Sequence, residues 1–220
     1  CMRYYVSNCD TTHLAVGSAI GANVFLKICA YSTAQISKEL KSQVMDEFGE
    51  IPKMKLINVI GGGSSAAGFW SEFIHYPKKH IELIGVEAKY CAPLTTNAKL
   101  AILHGAAQYC LTDKNGQIKE THSISAGLDY PGVSPLHCFL KDAGRARYCS
   151  ASDEQALAAF KLVTQLEPSV KPSLEPSHCL HEVIRLAPKL NEDEIIIYNN
   201  CGHAYKDRKI IQEKIGYYPT

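Results

Sequence analysis

The chain has 220 residues, 46% hydrophobic and 20% charged, with a formal charge of +1, which suits one large α/β domain with a sizeable core and excludes a disordered polymer. Lys and Arg are scattered rather than gathered on one face, so no nucleic-acid partner is expected, and no apolar run approaches the ~20 residues that a membrane span needs. Nine cysteines form no C-x-x-C pair and no zinc spacing, a usage that suits reduced thiols in a cytoplasmic protein.

Residues 1–31 show no sustained period of 2 or 3.6 and read as the remnant of a preceding unit, in keeping with a Cys1 that stands before Met2. Residues 32–220 read as a C-terminal α/β domain. From Gln35 the apolar residues Ile36, Leu40, Val44 and Phe48 recur at every fourth position and stop at Gly49, which predicts a helix with one buried stripe and a glycine end. A strand follows at 56–60, then Gly61-Gly-Gly-Ser-Ser65, a helix to about residue 75, and a second strand at 81–87. Strand, helix and strand in this order predict a βαβ unit and so a parallel sheet. The three glycines can take positive φ without a Cβ penalty, so successive N–H groups can turn onto an anion ahead of the helix dipole. Their spacing matches neither the dinucleotide fingerprint nor the Walker pattern, which leaves a phosphate on another kind of ligand, or a plain flexible turn.

Further on, residues 108–112 and 117–121 flank Asp113-Lys-Asn-Gly116, a hairpin signal. Residues 123–133, Ser-Ile-Ser-Ala-Gly-Leu-Asp-Tyr-Pro-Gly-Val, form a loop of small residues and turn formers, either a ligand-contacting loop or a bland surface one. A helix is predicted at 134–142, a strand at 147–150, and a helix to about 166 opened by the capping box Ser152-Asp-Glu-Gln155. Another helix starts around Glu175 with Pro176 in its first turn, and a strand at 195–199 ends at the 200–203 turn before the last helix. Ligands of open parallel sheets bind beyond the carboxyl ends of the strands, so the glycine turn, the 199–203 turn and the 125–132 loop form the candidate site. His178, Cys179 and His181 fit no common zinc pattern.

The stretches 11–21, 60–64, 123–131, 144–148 and 174–178 resemble the tryptophan synthase beta chain family of pyridoxal phosphate enzymes, nearly end to end. The Ser-Ile-Ser-Ala-Gly-Leu-Asp string carries most of that specificity. The resemblance implies a three-layer αβα domain with a mostly parallel sheet, the C-terminal domain of a fold type II pyridoxal phosphate enzyme. It implies a lyase that makes L-tryptophan from L-serine and indole. By the same resemblance Gly61, Gly62, Gly63, Ser64 and Ser65 hold the cofactor phosphate, with Ser at 65 in place of the family Asn. Ser18, Cys201 and Gly202 also contact the cofactor, Glu175 lies beside its ring, and Asp129 contacts the serine-derived substrate. Backbone carbonyls of Gly61, Tyr130 and Gly132 approach a monovalent cation, Na+ or K+.

Two departures stand out. The family hydroxyl that partners the pyridine nitrogen falls at Cys201, and a thiol is the weaker hydrogen-bonding group. The family's aromatic pair in the indole pocket falls at Leu103 and His104. Read without the resemblance, Cys201 is a small buried hydrophobe and Asp129 a turn former. The family attaches its cofactor through a His-Lys dipeptide in an N-terminal domain, and no Lys here follows a His, so this chain alone is expected to be inactive. The partners implied are that N-terminal domain, the alpha subunit and a second beta chain in a homodimer. The alternatives are a related serine or threonine dehydratase and a non-catalytic module that keeps only the phosphate cradle.

Overall fold

The structure is a computed structural model that describes residues 2–15 and 17–218; Cys1 and Val16, both within the expected N-terminal remnant, lie outside the described residues, as do Pro219 and Thr220. In chain order the elements are α1 (Met2–Ser7), α2 (Asn23–Phe48), β1 (Lys53–Ile60), α3 (Ser64–Phe69), β2 (Ile81–Ala88), β3 (Lys99–Leu103) and β4 (Ala106–Cys110). They continue as α4 (Pro135–Asp142), β5 (Ala146–Ala151), α5 (Asp153–Leu166), α6 (Leu174–Leu186), β6 (Glu194–Tyr198) and α7 (Arg208–Ile215).

Four strands form one parallel sheet in the order β5-β2-β1-β6. The two central strands are nearly continuous apolar runs because both of their faces are covered. On one face Met54, Leu56, Ile60 and Leu83 pack with Val44 of α2, Phe69 of α3 and Leu140 of α4. On the other, Ile57, Val59, Ile84 and Val86 pack with Cys179 and Val183 of α6. Odd and even positions of each strand therefore serve different helices, which is the three-layer αβα arrangement expected from the sequence. A third cluster, Phe160, Leu174, Ala204 and Ile211, ties α5 and α6 to α7. No helix among the described residues is long and apolar enough to cross a membrane.

Several local expectations hold. Gly49 ends α2 with a φ of 72°, and Ser134 caps α4 by accepting the Leu136 N–H. Ser152 and Gln155 make the reciprocal capping box of α5, with the Gln155 N–H donating to Ser152 Oγ at 3.3 Å and the Ser152 N–H to Gln155 Oε1 at 2.8 Å.

Five others are corrected. Residues 1–31 are not all irregular, since α1 lies within them and α2 begins at Asn23. The early part of α2 escaped the period because it meets α3 through small polar groups. A Cβ on Gly68 would sit 2.0 Å from Thr33 Oγ1, and the hydroxyls of Ser37 and Ser71 lie 2.7 Å apart. For the same reason the buried side of α2 passes through Ser37 and Val44, while Ile36 and Phe48 are exposed. The helix after the glycine turn stops at Phe69 rather than near residue 75, and turns that bury Trp70 and Phe73 take over. The antiparallel hairpin pairs β3 with β4 around His104-Gly105, while the 113–116 turn closes only the single bridge Thr112–Ile118. Of the three glycines, only Gly63 has positive φ, at 91°.

Phe73 has no exposed surface, whereas Phe139 on α4 is 66% exposed. Phe73→Ala is expected to lower the unfolding free energy by ~3–5 kcal/mol in urea titration, and Phe139→Ala by no more than about 0.5 kcal/mol.

Candidate active site

The chain runs outward from β1 to β2 and β5 on one side, then returns to place β6 on the other side of β1. The carboxyl ends of β1 and β6 therefore flank a topological switch point, the position where open α/β sheets leave a crevice. The glycine turn leaves β1 at this point. On its far side the 123–133 loop closes in, and together they border a cleft of about 460 Å³ lined by Ser18, Gly62, Gly127, Asp129 and Tyr130, with Ile20 among its apolar lining.

Glycine is demanded at 61 and 63 by contact, and at 62 a Cβ would be a tight fit. A Cβ on Gly61 would stand 2.4 Å from the Gly127 carbonyl oxygen, and one on Gly62 would stand 3.0 Å from Ser18 Oγ and 3.2 Å from Ile20. On Gly63 it would stand 2.1 Å from the ring of His137. The turn is thus clasped by the 123–133 loop, by the 18–20 segment and by α4. The resulting backbone is bare of side chains on the cleft side at Gly62. Such a surface can be approached closely by a ligand oxygen.

Glu175 opens α6 and reaches back to the loop. Its Oε1 accepts the Gly127 N–H at 3.1 Å and its Oε2 accepts the Ser173 hydroxyl at 2.8 Å. Lys206 Nζ lies 2.7 Å from Glu175 Oε2 and 2.8 Å from Asp207 Oδ1. Partial burial opposes ionisation of Glu175, but the Lys206 and Ser173 bonds and its own backbone N–H outweigh it and bring the carboxyl down from 4.5 to about 2. Glu175 is a fixed anion at neutral pH.

Asp129 is exposed at the cleft and accepts the Cys91 thiol at 3.5 Å. Burial, followed by the Asp129 charge, pushes that thiol up to about 11, so it stays neutral. Asp129 has no ion-pair partner among the described residues and is free to take a donor from a ligand. Tyr130 lines the same wall, its hydroxyl bonded to the ring of His104. His104 itself borders the cleft with a φ of 51°, whereas Leu103 turns to Gly132, where a Cβ would stand 2.8 Å from Leu103 Cδ2.

The remaining sequence candidates sit around this cleft. Ser65 Oγ accepts the side-chain amides of Asn58 at 3.2 Å and Asn199 at 3.0 Å, which ties the start of α3 to the ends of β1 and β6. Thr33 Oγ1 approaches the Ser64 carbonyl at 3.4 Å. Cys201 is exposed as a residue, yet the protein crowding its sulfur, and then the Glu175 charge, push the thiol up from 9.0, so it is neutral at physiological pH. The Gly202 carbonyl accepts the Ser173 N–H at 2.8 Å. Cys201 and Gly202 are outside the cleft lining, and Gly132 pairs with Cys110 in an isolated bridge. His178 Nδ1 donates to the Leu174 carbonyl at 2.7 Å, and no group of three metal-ligating side chains is found among the described residues.

Sequence reasoning passed over Asn58, Ser173, Lys206 and His137, and it reached Asn199 only as the first residue of the 199–203 turn. Lys206 and His137 reach partners 31 and 74 residues away, which no local pattern marks, whereas Ser173 lies two residues from Glu175 and Asn58 seven from Ser65.

No family model matches the chain. Its structure is similar to that of a fungal L-serine ammonia-lyase from Rhizomucor miehei, with a TM-score of 0.64 at 16% identity over 93% of this chain and 62% of that one. It is also similar to a threonine deaminase from T.th., with a TM-score of 0.56 at 14% identity over 80% of this chain and 57% of that one. The architecture is the one found in pyridoxal phosphate enzymes of fold type II. In sequence, the chain is 42% identical over 214 residues to the tryptophan synthase beta chain of Allorhizobium ampelinum, covering 94% of this chain and 52% of the relative. It therefore spans about half the length of that curated relative and corresponds to its C-terminal portion.

The folded carboxyl of Glu175 ionises below its unfolded value, so its contribution to stability is fully present above about pH 4.5 and is lost as pH falls toward 2. Lys206→Met removes the main partner and is expected to cost on the order of 1 kcal/mol at pH 7, given the partial exposure of the lysine. It should also flatten the acid limb of stability in a series of urea titrations from pH 7 to pH 2.

Proposed function

We propose that this chain is the C-terminal part of a pyridoxal phosphate enzyme of the tryptophan synthase beta type, which joins L-serine to indole with loss of water. The observation that carries this reading is the convergence of a side-chain-free glycine turn, the carboxylate of Asp129 and the ionised Glu175 on one edge of the sheet. Pyridoxal 5′-phosphate, when bound, supplies the electron sink for removing the α-proton and the β-substituent of an amino acid.

The residues present fit such a group. The turn has no space for a Cβ at Gly61 and Gly63 and opens to the cleft at Gly62, where phosphate oxygens would lie beside the Ser18 hydroxyl, with Ser64 and Ser65 at the start of α3 completing the cradle. Asp129, at the cleft wall, would hold the hydroxyl or ammonium group of serine. Glu175 would face the ring as an anion, Gly202 would support it through the backbone, and Cys201 would meet the ring nitrogen with a neutral thiol that does not protonate it. Leu14, Ile20 and Phe25 give the cleft an apolar side that suits indole and excludes water from the reacting atoms. Carbonyls of Gly61, Tyr130 and Gly132 would hold a monovalent cation, and an N-terminal half, an alpha subunit and a second beta chain would complete the assembly in the cytoplasm.

Co-expressed with the N-terminal half of the bacterial relative, the chain is expected to consume indole only when L-serine is present, and the 220-residue chain alone is expected not to do so. The fold shared with a serine ammonia-lyase favours one competing reading, a dehydratase. Release of pyruvate from serine with indole untouched would establish that reading instead. In the same assembly Cys201→Ser offers a better neutral hydrogen bond, worth ~1 kcal/mol, and should tighten cofactor binding roughly fivefold in a fluorescence titration.

A further inference from the structure

We propose that His137 is a positioning residue for the glycine turn, holding the Gly63 peptide so that the following N–H groups face the cleft and take the ligand phosphate. This rests on the phosphate reading above and adds a residue outside the turn that sets its geometry.

His137 stands on α4 with no exposed surface. Its Nε2 lies 2.8 Å from the Gly63 carbonyl oxygen and its Nδ1 lies 3.0 Å from the Tyr148 hydroxyl. A carbonyl only accepts, so Nε2 must carry the proton, and Nδ1 then accepts from Tyr148. One tautomer satisfies every group. Burial lowers the imidazole to about 4, so the ring is neutral at physiological pH and acts by direction rather than by charge. Trp70 fixes its plane edge-on, with ring centroids 5.5 Å apart.

Two consecutive carbonyls of the turn are drawn toward α4. The Ser134 N–H, at the start of that helix, donates to the Gly62 carbonyl at 3.1 Å, while His137 holds the carbonyl of Gly63. In a trans peptide the C=O and the following N–H point in opposite directions. Tying these two carbonyls to α4 therefore turns the N–H groups of Gly63 and Ser64 away from it. The remaining capacity of the Gly63 oxygen is filled by the Ala67 N–H at 3.0 Å, so the peptide has no freedom to rotate without losing two bonds. Gly63 has a φ of 91°, and the His137 ring occupies the place a side chain would take.

The test compares pyridoxine 5′-phosphate with pyridoxine by calorimetry on the full chain; neither has an aldehyde, so surface lysines do not trap them. The native chain is expected to prefer the phosphorylated ligand. His137→Leu should cut that preference about tenfold while leaving pyridoxine binding unchanged, and His137→Gln, which can still donate to the carbonyl, should restore most of it. Tyr148→Phe keeps the packing, frees the ring to change tautomer, and should cut the preference severalfold. It provides the readout should His137→Leu fail to fold. An undiminished preference in the folded variants, or an equal loss for both ligands, overturns the positioning role alone. A native chain without any preference for the phosphorylated ligand overturns the phosphate reading and this proposal with it.

Discussion

Close approach of backbone at Gly61 to Gly63 is the constraint on which the rest of the site depends. Three parts of the chain, the 123–133 loop, the 18–20 segment and α4, each come within contact distance of where a Cβ would be. Each needs a different glycine. Remove the glycines and the loop carrying Asp129 moves off, the 18–20 segment is pushed out of the cleft, and His137 loses its place. The turn is thus a junction that locates side chains from distant stretches.

The same logic governs the opposite side of the loop. Gly127 meets Glu175, whose Oε1 would stand 2.6 Å from a Cβ there and accepts the Gly127 N–H instead. Loop, α6 and the segment after β6 are joined at this carboxylate, because Lys206 binds Glu175 and Asp207 while Asp207 Oδ2 accepts the Leu174 N–H at 2.8 Å. A charge satisfied by two donors from side chains and one from the backbone is stable where it stands.

Polar groups do structural work in the core as well. Glu87 on β2 is fully buried and accepts the N–H groups of Leu94 and Thr95, both at 2.9 Å, which shapes the turn after β2. Burial raises its carboxyl to about 7 against those bonds. Asn58, also buried, uses its side chain to brace its own strand end and Ser65. These residues read as anomalies in a linear sequence of apolar strands, and their partners explain them.

How much was legible in the sequence follows from the range of each interaction. The capping box at Ser152 and the glycine end of α2 are settled by bonds between residues a few positions apart, and the sequence alone was enough for them, as it was for the order of strand, turn and helix at the glycines though not for where that helix ends. The parallel sheet followed from the alternation of such units, and part of the 123–131 string lines the same cleft as Gly62. The turns of α2 before Gln35 were hidden because Thr33 is polar, and its contact with Gly68 joins residues more than thirty positions apart. The 113–116 turn is as strong a local signal as any in the chain, yet the ladder formed at β3 and β4, whose hairpin buries Gln108 and Cys110. A turn only offers a reversal, and burial elsewhere decides which strands pair. Tertiary structure alone decided that His137 meets Gly63, that Asn199 meets Ser65 and that Lys206 meets Glu175, since each pair joins different elements through a side chain whose direction no periodicity encodes.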